Sequence, residues 1–380
     1  MDFGWTAEQR ELHARMRAVG IEADGAPQEQ RMRILAASGA LGLPLPKDAG
    51  GCALDLLTTA YAYEGLGATL RDGGLLLAAG AHLFGVALML ARVGTPEQRA
   101  AWLPKFASGE AMATIGATEE DAGSDVASVS TLVESAGAGL KITGRKCYVT
   151  YADRAAVYFV LARDVDTQGV TGLLVPRDRP GVSVGAPLAT AGLASARLAP
   201  VELSGVEVGV DAVVGRRGAG RTIFQIAMTF ERALILAFRL GAMETALGEA
   251  VRFARTREIG GGPIGRHQAV SHRIAHMKLR LETSRLLVYR AAWLLDRGER
   301  AQAEAALAKW HLADSALASA LDACQLRGGA GFLEPSGLPG AIDDALGATA
   351  HSGTQDVLAT VVARWLGLGG GSQEPARAAN

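Results

Sequence analysis

The sequence carries almost no net charge: 38 Lys and Arg against 39 Asp and Glu leave −1 over 380 residues. A surface built to track phosphates needs a basic excess, so nucleic acid is not an expected partner. Cysteine is scarce and unpaired in pattern. Cys52, Cys147 and Cys324 are odd in number and far apart, which argues against a disulfide framework and for a reduced, cytoplasmic compartment. Several motifs are missing. There is no GxxxxGK[ST] loop, no GxSxG elbow and no GxGxxG run after a strand, since Gly218-Ala219-Gly220 lacks the third glycine. Mononucleotide, dinucleotide and serine-hydrolase sites of the usual kinds are therefore not expected. His272 and His276 share a helix face but have no third ligand nearby, so no metal is expected. The first residues lack an apolar stretch of the kind a secretory leader needs.

One long apolar run tests the membrane question. Residues 73–91 hold only His82 as a polar side chain, between Asp72 and Arg92. The length permits a span, but the run is rich in Gly and Ala and has a histidine in its middle. A buried core helix is the expectation, with no membrane as partner.

What is present is a globular composition, 49% hydrophobic and 20% charged, which excludes disorder over most of the chain. Glycine is plentiful at 48 residues, against aromatics at 5%. Residues 1–112 read as helical, with Thr6 and Thr95-Pro96 as helix starts. Residues 113–222 change to short β-branched runs, such as Lys141 to Gly144, Val157 to Leu161 and Thr171 to Val175, separated by Gly, Pro and Asp. Residues 223–368 return to long Ala/Leu/Arg-rich helices, broken at Gly260-Gly261-Gly262-Pro263 and at Gly328 to Gly331. A disordered tail is expected over 369–380. The expected fold class is α+β: an N-terminal α-helical domain, a middle antiparallel β domain and a C-terminal four-helix bundle. Arg252, Arg255, Arg257 and Arg266 form either a solvated helix end or an anion site for a phosphate-bearing cofactor.

Two stretches are more specific. Thr118-Glu119-Glu120-Asp121-Ala122-Gly123-Ser124-Asp125 precedes Lys141 to Thr150, and Gly328-Gly329-Ala330-Gly331-Phe332 precedes Ser352-Gly353-Thr354. Together they resemble the TEPxAGSD, NGxKxWIT, GGxGF and xGT motifs of the flavin-dependent acyl-CoA dehydrogenases, in order and over nearly the whole chain. The resemblance implies FAD. Ala122-Gly123-Ser124 would meet its pyrophosphate, where glycine permits close approach and Ser124 offers a hydroxyl. Ala117 and Thr118 would lie along the flavin ring, Thr150 would reach its edge, and Tyr148 stands where the family usually has Trp. Thr354 and Asp356 complete that set.

The family also takes FAD contacts from a neighbouring subunit. The run Arg257 to Gly261 with His267-Gln268 keeps that register, although Gly260 replaces a Phe. Gln325 with Gly328-Gly329 would cradle the adenosine part. The resemblance thus implies a homo-oligomer, dimer or tetramer, with an electron-transfer flavoprotein as a further partner.

The implied chemistry removes a proton α to a thioester carbonyl while hydride leaves the β carbon. It needs a desolvated carboxylate and hydrogen bonds on the carbonyl oxygen. Many members place that Glu directly before Gly-Thr, but Ser352 stands there, and a serine without its own base cannot accept the proton. The isovaleryl and long-chain branches instead place it on the first long helix of the C-terminal domain, before an Arg. Phe230-Glu231-Arg232 matches that pattern, so Glu231 is the expected base, with burial raising its pKa. The backbone N–H of Ser352, next to Gly353, would donate to the thioester oxygen. Arg232 and Ser124 are substrate-side contacts, and Thr229 replaces an acid or amide. The expected function is FAD-dependent α,β-dehydrogenation of an acyl thioester on CoA or a carrier protein. A flavin monooxygenase on the same fold is the alternative, and a cofactor-free scaffold a third reading.

Overall fold

The computed structural model describes residues 4–368; the tail expected over 369–380 lies outside the described residues. The chain begins with helices α1 (Ala7–Gly25), α2 (Gln28–Ala37), α3 (Leu56–Gly67), α4 (Gly73–Gly80), α5 (Leu88–Val93) and α6 (Pro96–Ser108). Strands follow: β1 (Ala113–Gly116), β2 (Leu132–Ala136), β3 (Gly139–Val149), β4 (Val157–Asp164), β5 (Val170–Pro176), β6 (Val182–Val184) and β7 (Ala199–Gly209). Helices α7 (Gly220–Leu234) and α8 (Ala237–Thr256), a small hairpin of β8 (Glu258–Ile259) and β9 (Gly262–Pro263), and helices α9 (Gln268–Asp296) and α10 (Gln302–Arg327) come next. The last elements are α11 (Gly329–Phe332), α12 (Leu338–Ala348) and α13 (Gln355–Trp365). This is the expected mixed α+β order of helical, β and helical regions.

The chain divides into two compact units. One comprises Glu22–Asp55 and Asp72–Glu231. Its middle sheet runs β1-β4-β2-β3-β7-β6, with β5 on the other side of β4. The long pairings β2–β3, β3–β7 and β4–β5 are antiparallel, as expected, but β1 and β2 both run parallel to β4. The sheet is therefore mixed. β1 follows directly on the helices and β2 follows the 117–131 segment, so neither is tied to β4 by a hairpin that would force the antiparallel sense. β4 and β5 are buried along most of their length, which explains continuous apolar runs in place of alternation.

The apolar run expected as a buried helix forms α4, a π-helical turn over Ala81–Ala87, and α5. In its most apolar window 94% is buried within the protein, so it is a core helix of this unit. Asp72 caps its start by accepting from the Leu75 N–H at 3.0 Å. α6 opens on a reciprocal Thr95–Gln98 capping box and closes on Gly109 in the left-handed region.

The other unit holds the residues up to Ile21, Leu56–Arg71, and the chain from Arg232 on. Helix α3 packs on α8 and α9, and α10 packs on α8, α9, α12 and α13. Glycine sets the α3–α8 distance. A Cβ on Gly67 would fall 1.8 Å from the Phe238 carbonyl oxygen, and one on Gly241 would fall 2.0 Å from that of Glu64. Between α3, α8 and α9 the buried Glu64 accepts from Arg285 at 2.6 and 3.0 Å and from Tyr289, while Arg285 also reaches Glu244 and Glu282, each at 2.9 Å. Burial raises the Glu64 pKa against the pull of Arg285 and Tyr289. Its partners account for it as an element of the fold.

Candidate functional site

Helix α7 is amphipathic, and the position of Glu231 follows from its period. Ile223, Phe224, Ala227 and Met228 are buried at three- and four-residue spacing, and Glu231 continues the same stripe at 7% exposure. The start of the helix is locked to the sheet. Gly220 comes so close to β5 that a Cβ would lie 2.7 Å from the Gly172 nitrogen. The Gly218 N–H donates to Thr171 at 2.8 Å, and Arg217 pairs with the buried Asp164 at 2.7 Å. About three turns later the helix presents its carboxylate.

Glu231 faces the π turn. A Cβ on Gly85 would lie 2.5 Å from Glu231 Oε2 and 3.2 Å from Ile115 Cδ1 on β1. His82 ties that turn down. Its Nδ1 accepts from the Ala113 N–H at 2.9 Å, so the proton sits on Nε2, which donates to the Phe106 carbonyl at 3.2 Å. Burial holds this imidazole neutral and lowers its pKa to about 4, although both backbone bonds pull the other way. Neither Gly85 nor the His82 contacts were read from the sequence, because a π turn has no residue signature and Gly85 is one of many small residues in an apolar run.

The same unit carries the flavin-side candidates. Ala117 and Thr118 follow β1. The Thr118 carbonyl accepts from the Cys147 N–H at 2.8 Å, and the Ala117 carbonyl from Lys146 Nζ at 3.2 Å. Lys146 is buried and pairs with Glu119 at 2.6 Å. Glu119 also accepts from the Ser130 N–H and hydroxyl, each at 2.5 Å, and from the Thr131 N–H at 3.0 Å. Burial pushes the Glu119 carboxyl up, but Lys146 and these donors outweigh it and hold the pKa at about 2. Beside Lys146, β3 is bulged against β7. The bulge places Tyr148 at φ 55° and leaves its ring 59% exposed, the kind of re-aimed side chain found next to binding sites. Thr150 is half-buried, whereas Gly123 and Ser124 are exposed. Among the described residues, and apart from its chain neighbours, a Cβ on Gly123 would come within 4 Å of Thr118 Cγ2 alone, at 4.0 Å. An outward aromatic face beside an open glycine–serine turn fits the flat ring and the pyrophosphate of a flavin dinucleotide. Thr229 is half-buried, and its hydroxyl donates to the Gln225 carbonyl of its own helix at 2.7 Å.

The other unit carries the turn at 351–354. Ser352 and Gly353 have φ 56° and 104°. Buried Arg232 donates from Nε to the Ser352 carbonyl at 2.9 Å, and buried Lys309 to the Gly353 carbonyl at 2.7 Å. The Ser352 hydroxyl lies 3.1 Å from Nδ1 of His351, whose pKa burial, Lys309 and Arg239 bring down to about 3. Both carbonyls of the turn are thus occupied by cations. Thr354 and Asp356 are exposed at the start of α13. Arg257, His267, Gln268, Gln325, Gly328 and Gly329 are all exposed too. They flank the β8–β9 hairpin and the α10–α11 junction, where Ile259, Phe332 and Leu333 also point outward, Phe332 at 80% exposure. Among the described residues no three His, Cys, Asp or Glu side chains gather as a metal set.

Comparison with known proteins agrees with this layout. The N-terminal, middle and C-terminal domain models of acyl-CoA dehydrogenase match residues 7–110, 114–206 and 218–367. The chain is 37% identical over 380 residues, 97% of its length and 100% of the relative's, to an L-prolyl-[peptidyl-carrier protein] dehydrogenase of Pseudomonas fluorescens. It superposes on the crystal structure of the prolyl acyl carrier protein oxidase AnaB with a TM-score of 0.93 at 31% identity, covering 96% of this chain and 100% of that one. PigA with FAD and proline gives a TM-score of 0.92 at 30% identity, over 97% and 100% of the two chains. With domain models spanning nearly its whole length and a full-length relative at this identity, the chain belongs to the acyl-CoA dehydrogenase family.

Proposed function

We propose that the protein is an FAD-dependent dehydrogenase of acyl thioesters whose natural substrate is a prolyl-type aminoacyl group carried on a peptidyl carrier protein. The observation that carries this reading is the full-length 37% identity to an L-prolyl-[peptidyl-carrier protein] dehydrogenase, joined to a buried carboxylate on α7 and a serine before the late Gly-Thr. Glu231 takes the proton α to the thioester carbonyl. The backbone N–H of Ser352 donates to the thioester oxygen, where charge develops as that proton leaves. This turn is suited to the task because Arg232 and Lys309 hold its carbonyls. Ser124, Thr229, Arg232 and Gly353 line the substrate. FAD, when bound, accepts the hydride from the β carbon.

Ala117, Thr118, Tyr148 and Thr150 hold the ring, with Gly123 and Ser124 at the pyrophosphate and Thr354 and Asp356 beyond. Arg257, His267, Gln268, Gln325, Gly328 and Gly329 serve the FAD of a second copy. The exposed Ile259, Phe332 and Leu333 on the same segments support a homo-oligomer, dimer or tetramer, because such apolar groups favour cover by another chain. An electron-transfer flavoprotein is the proposed acceptor. The oxygen-inserting alternative draws no support from the relatives described above, of which the Pseudomonas fluorescens protein is named for dehydrogenation and AnaB for oxidation.

Anaerobic mixing of the yellow holoenzyme with L-prolyl-carrier protein, L-prolyl-CoA or butyryl-CoA tests the reading. Loss of oxidised-flavin absorbance is expected, fastest with the carrier-bound prolyl group, and Glu231→Gln is expected to abolish it. Equal bleaching by wild type and Glu231→Gln removes Glu231 as the base. No bleaching by any thioester removes the dehydrogenase itself.

A further inference from the structure

The carboxylate of a buried glutamate goes where its surroundings leave room. For Glu231 that room is made by an absent side chain. A methyl on Gly85 would stand 2.5 Å from Oε2 and 3.6 Å from the carboxyl carbon. Non-bonded heavy atoms settle at about 3.5–4.0 Å, so Oε2 occupies space that any other residue would fill. Ile115 Cδ1 lies 3.2 Å from the same point, so the methyl would be crowded there as well.

Gly85 sits in the π turn over Ala81–Ala87. Such wide turns are rare and favour functional sites. This one is pinned by one imidazole between the Phe106 carbonyl and the Ala113 N–H. Ala113 opens β1, which continues through Ile115 into Ala117 and Thr118. His82 therefore registers the turn against the strand that leads to the flavin-side pair, while Gly220 and Arg217 register α7 against the same sheet.

We propose that Gly85 is a positioning residue for Glu231: its bare backbone, presented by the π turn that His82 pins to β1, fixes where the carboxylate rests for proton abstraction. This deepens the reading of Glu231 as the base and rests on it.

The test compares holoenzymes carrying Glu231→Gln, Glu231→Asp, Gly85→Ala and the Gly85→Ala/Glu231→Asp pair, reduced anaerobically with L-prolyl-carrier protein or butyryl-CoA, whichever reduces the wild type. Gly85→Ala is expected to lower the limiting rate of flavin reduction about 10- to 100-fold, the scale of a reacting group displaced by an ångström. The half-saturating thioester concentration should stay the same, and the pH profile of the limiting rate should shift. Aspartate is one methylene shorter and leaves room for the methyl, so adding Gly85→Ala to Glu231→Asp should cost less than about two-fold or restore rate. An equal factor in both backgrounds overturns the proposal, as does a wild-type rate in Gly85→Ala while Glu231→Gln is inactive. A wild-type rate in Glu231→Gln removes the base reading first, and the proposal with it. Should Gly85→Ala fail to fold, the aspartate pair decides; failure of the double variant to fold as well means that the space serves the fold, and the proposal falls.

Discussion

Replacing Lys146 by Met asks whether the strand leading to the flavin-side residues is held by a buried charge pair. Lys146 is fully buried, and among the described residues its Nζ bonds to Glu119 at 2.6 Å and to the Ala117 carbonyl at 3.2 Å. Removing one member of a buried pair costs about 3–5 kcal/mol because the other charge is stranded. Here Glu119 keeps the donors of Ser130 and Thr131, so the cost belongs at the lower end, about 3 kcal/mol. For a unit of this size that corresponds to a fall in Tm of roughly 6–12 °C. The pH dependence follows from Glu119. Its folded pKa of about 2 lies below the ordinary 4.5, so the stability it contributes is present above the unfolded value and is lost as pH falls towards the folded one. The gap between wild type and Lys146→Met should therefore be full near neutrality and narrow below pH 4.5. Urea unfolding at neutral and acid pH, with FAD content measured alongside, reads both effects. A gap under about 1 kcal/mol at neutral pH, the size of an exposed pair, refutes the reasoning. So does a gap that acid leaves unchanged, since loss of packing alone would give that result.

The remaining predictions concern other parts of the molecule. Neutral buried His82, with a folded pKa of about 4 against an ordinary 6.5, should cost stability as pH falls through that window, because the unfolded chain takes up the proton first. The loss is up to about 3 kcal/mol, and His82→Asn should flatten that part of the Tm–pH curve; His351 acts in the same direction. Gly241→Ala forces a methyl onto the Glu64 carbonyl, and calorimetry should show at least about 3 kcal/mol of destabilisation from overpacking. Ser352→Gly removes a left-handed side chain and should raise stability by a few tenths to about 1 kcal/mol while preserving flavin reduction; a rate as low as that of Glu231→Gln would assign the serine side chain a part in the chemistry. Lys309→Met leaves the Gly353 carbonyl without its cation and should lower the limiting rate more than it raises the half-saturating concentration.

Local chemistry made much of this architecture readable from the sequence. Thr95-Pro96 reads as a helix start and opens α6, where the structure adds a capping box with Gln98, and the β-branched runs between Lys141 and Val175 became β3, β4 and β5. The expectation for Glu231 rests on the resemblance, on the apolar run around it and on Ser352 at the alternative place; what the structure adds is that its side chain is buried on the apolar face of α7. Less legible was anything set by contacts distant in sequence. The parallel sense of β1 and β2 depends on both meeting the same edge of β4, opposite β5, which no turn residue records. Helix α3 reads as part of an N-terminal helical block, yet it packs with α8 and α9, because an amphipathic helix does not specify which apolar face it will meet. Lys146 and Lys309 look like surface residues in a linear reading. Each is buried because a carboxylate or carbonyl from elsewhere waits for it.

The glycine excess resolves into two different uses, and the difference bears on the mechanism. At Gly67, Gly241 and Gly220 the missing Cβ lets backbone meet backbone, fixing how α3 crosses α8 and how α7 leaves the sheet. At Gly123, Gly328 and Gly329 an added Cβ would meet little or nothing, so those positions stand open at the surface. Gly85 belongs to neither group, because what fills its space is the carboxylate of Glu231. A base carried on a turn such as 351–354 takes its position from the backbone of that turn. A base carried on a helix has its backbone fixed by the helix, so only the side chain's surroundings remain to direct it. Under the proposed assignment of the base to Glu231, the task of aiming the carboxylate falls to the elements packed around α7, among them the π turn, which leaves out a side chain where it meets Glu231.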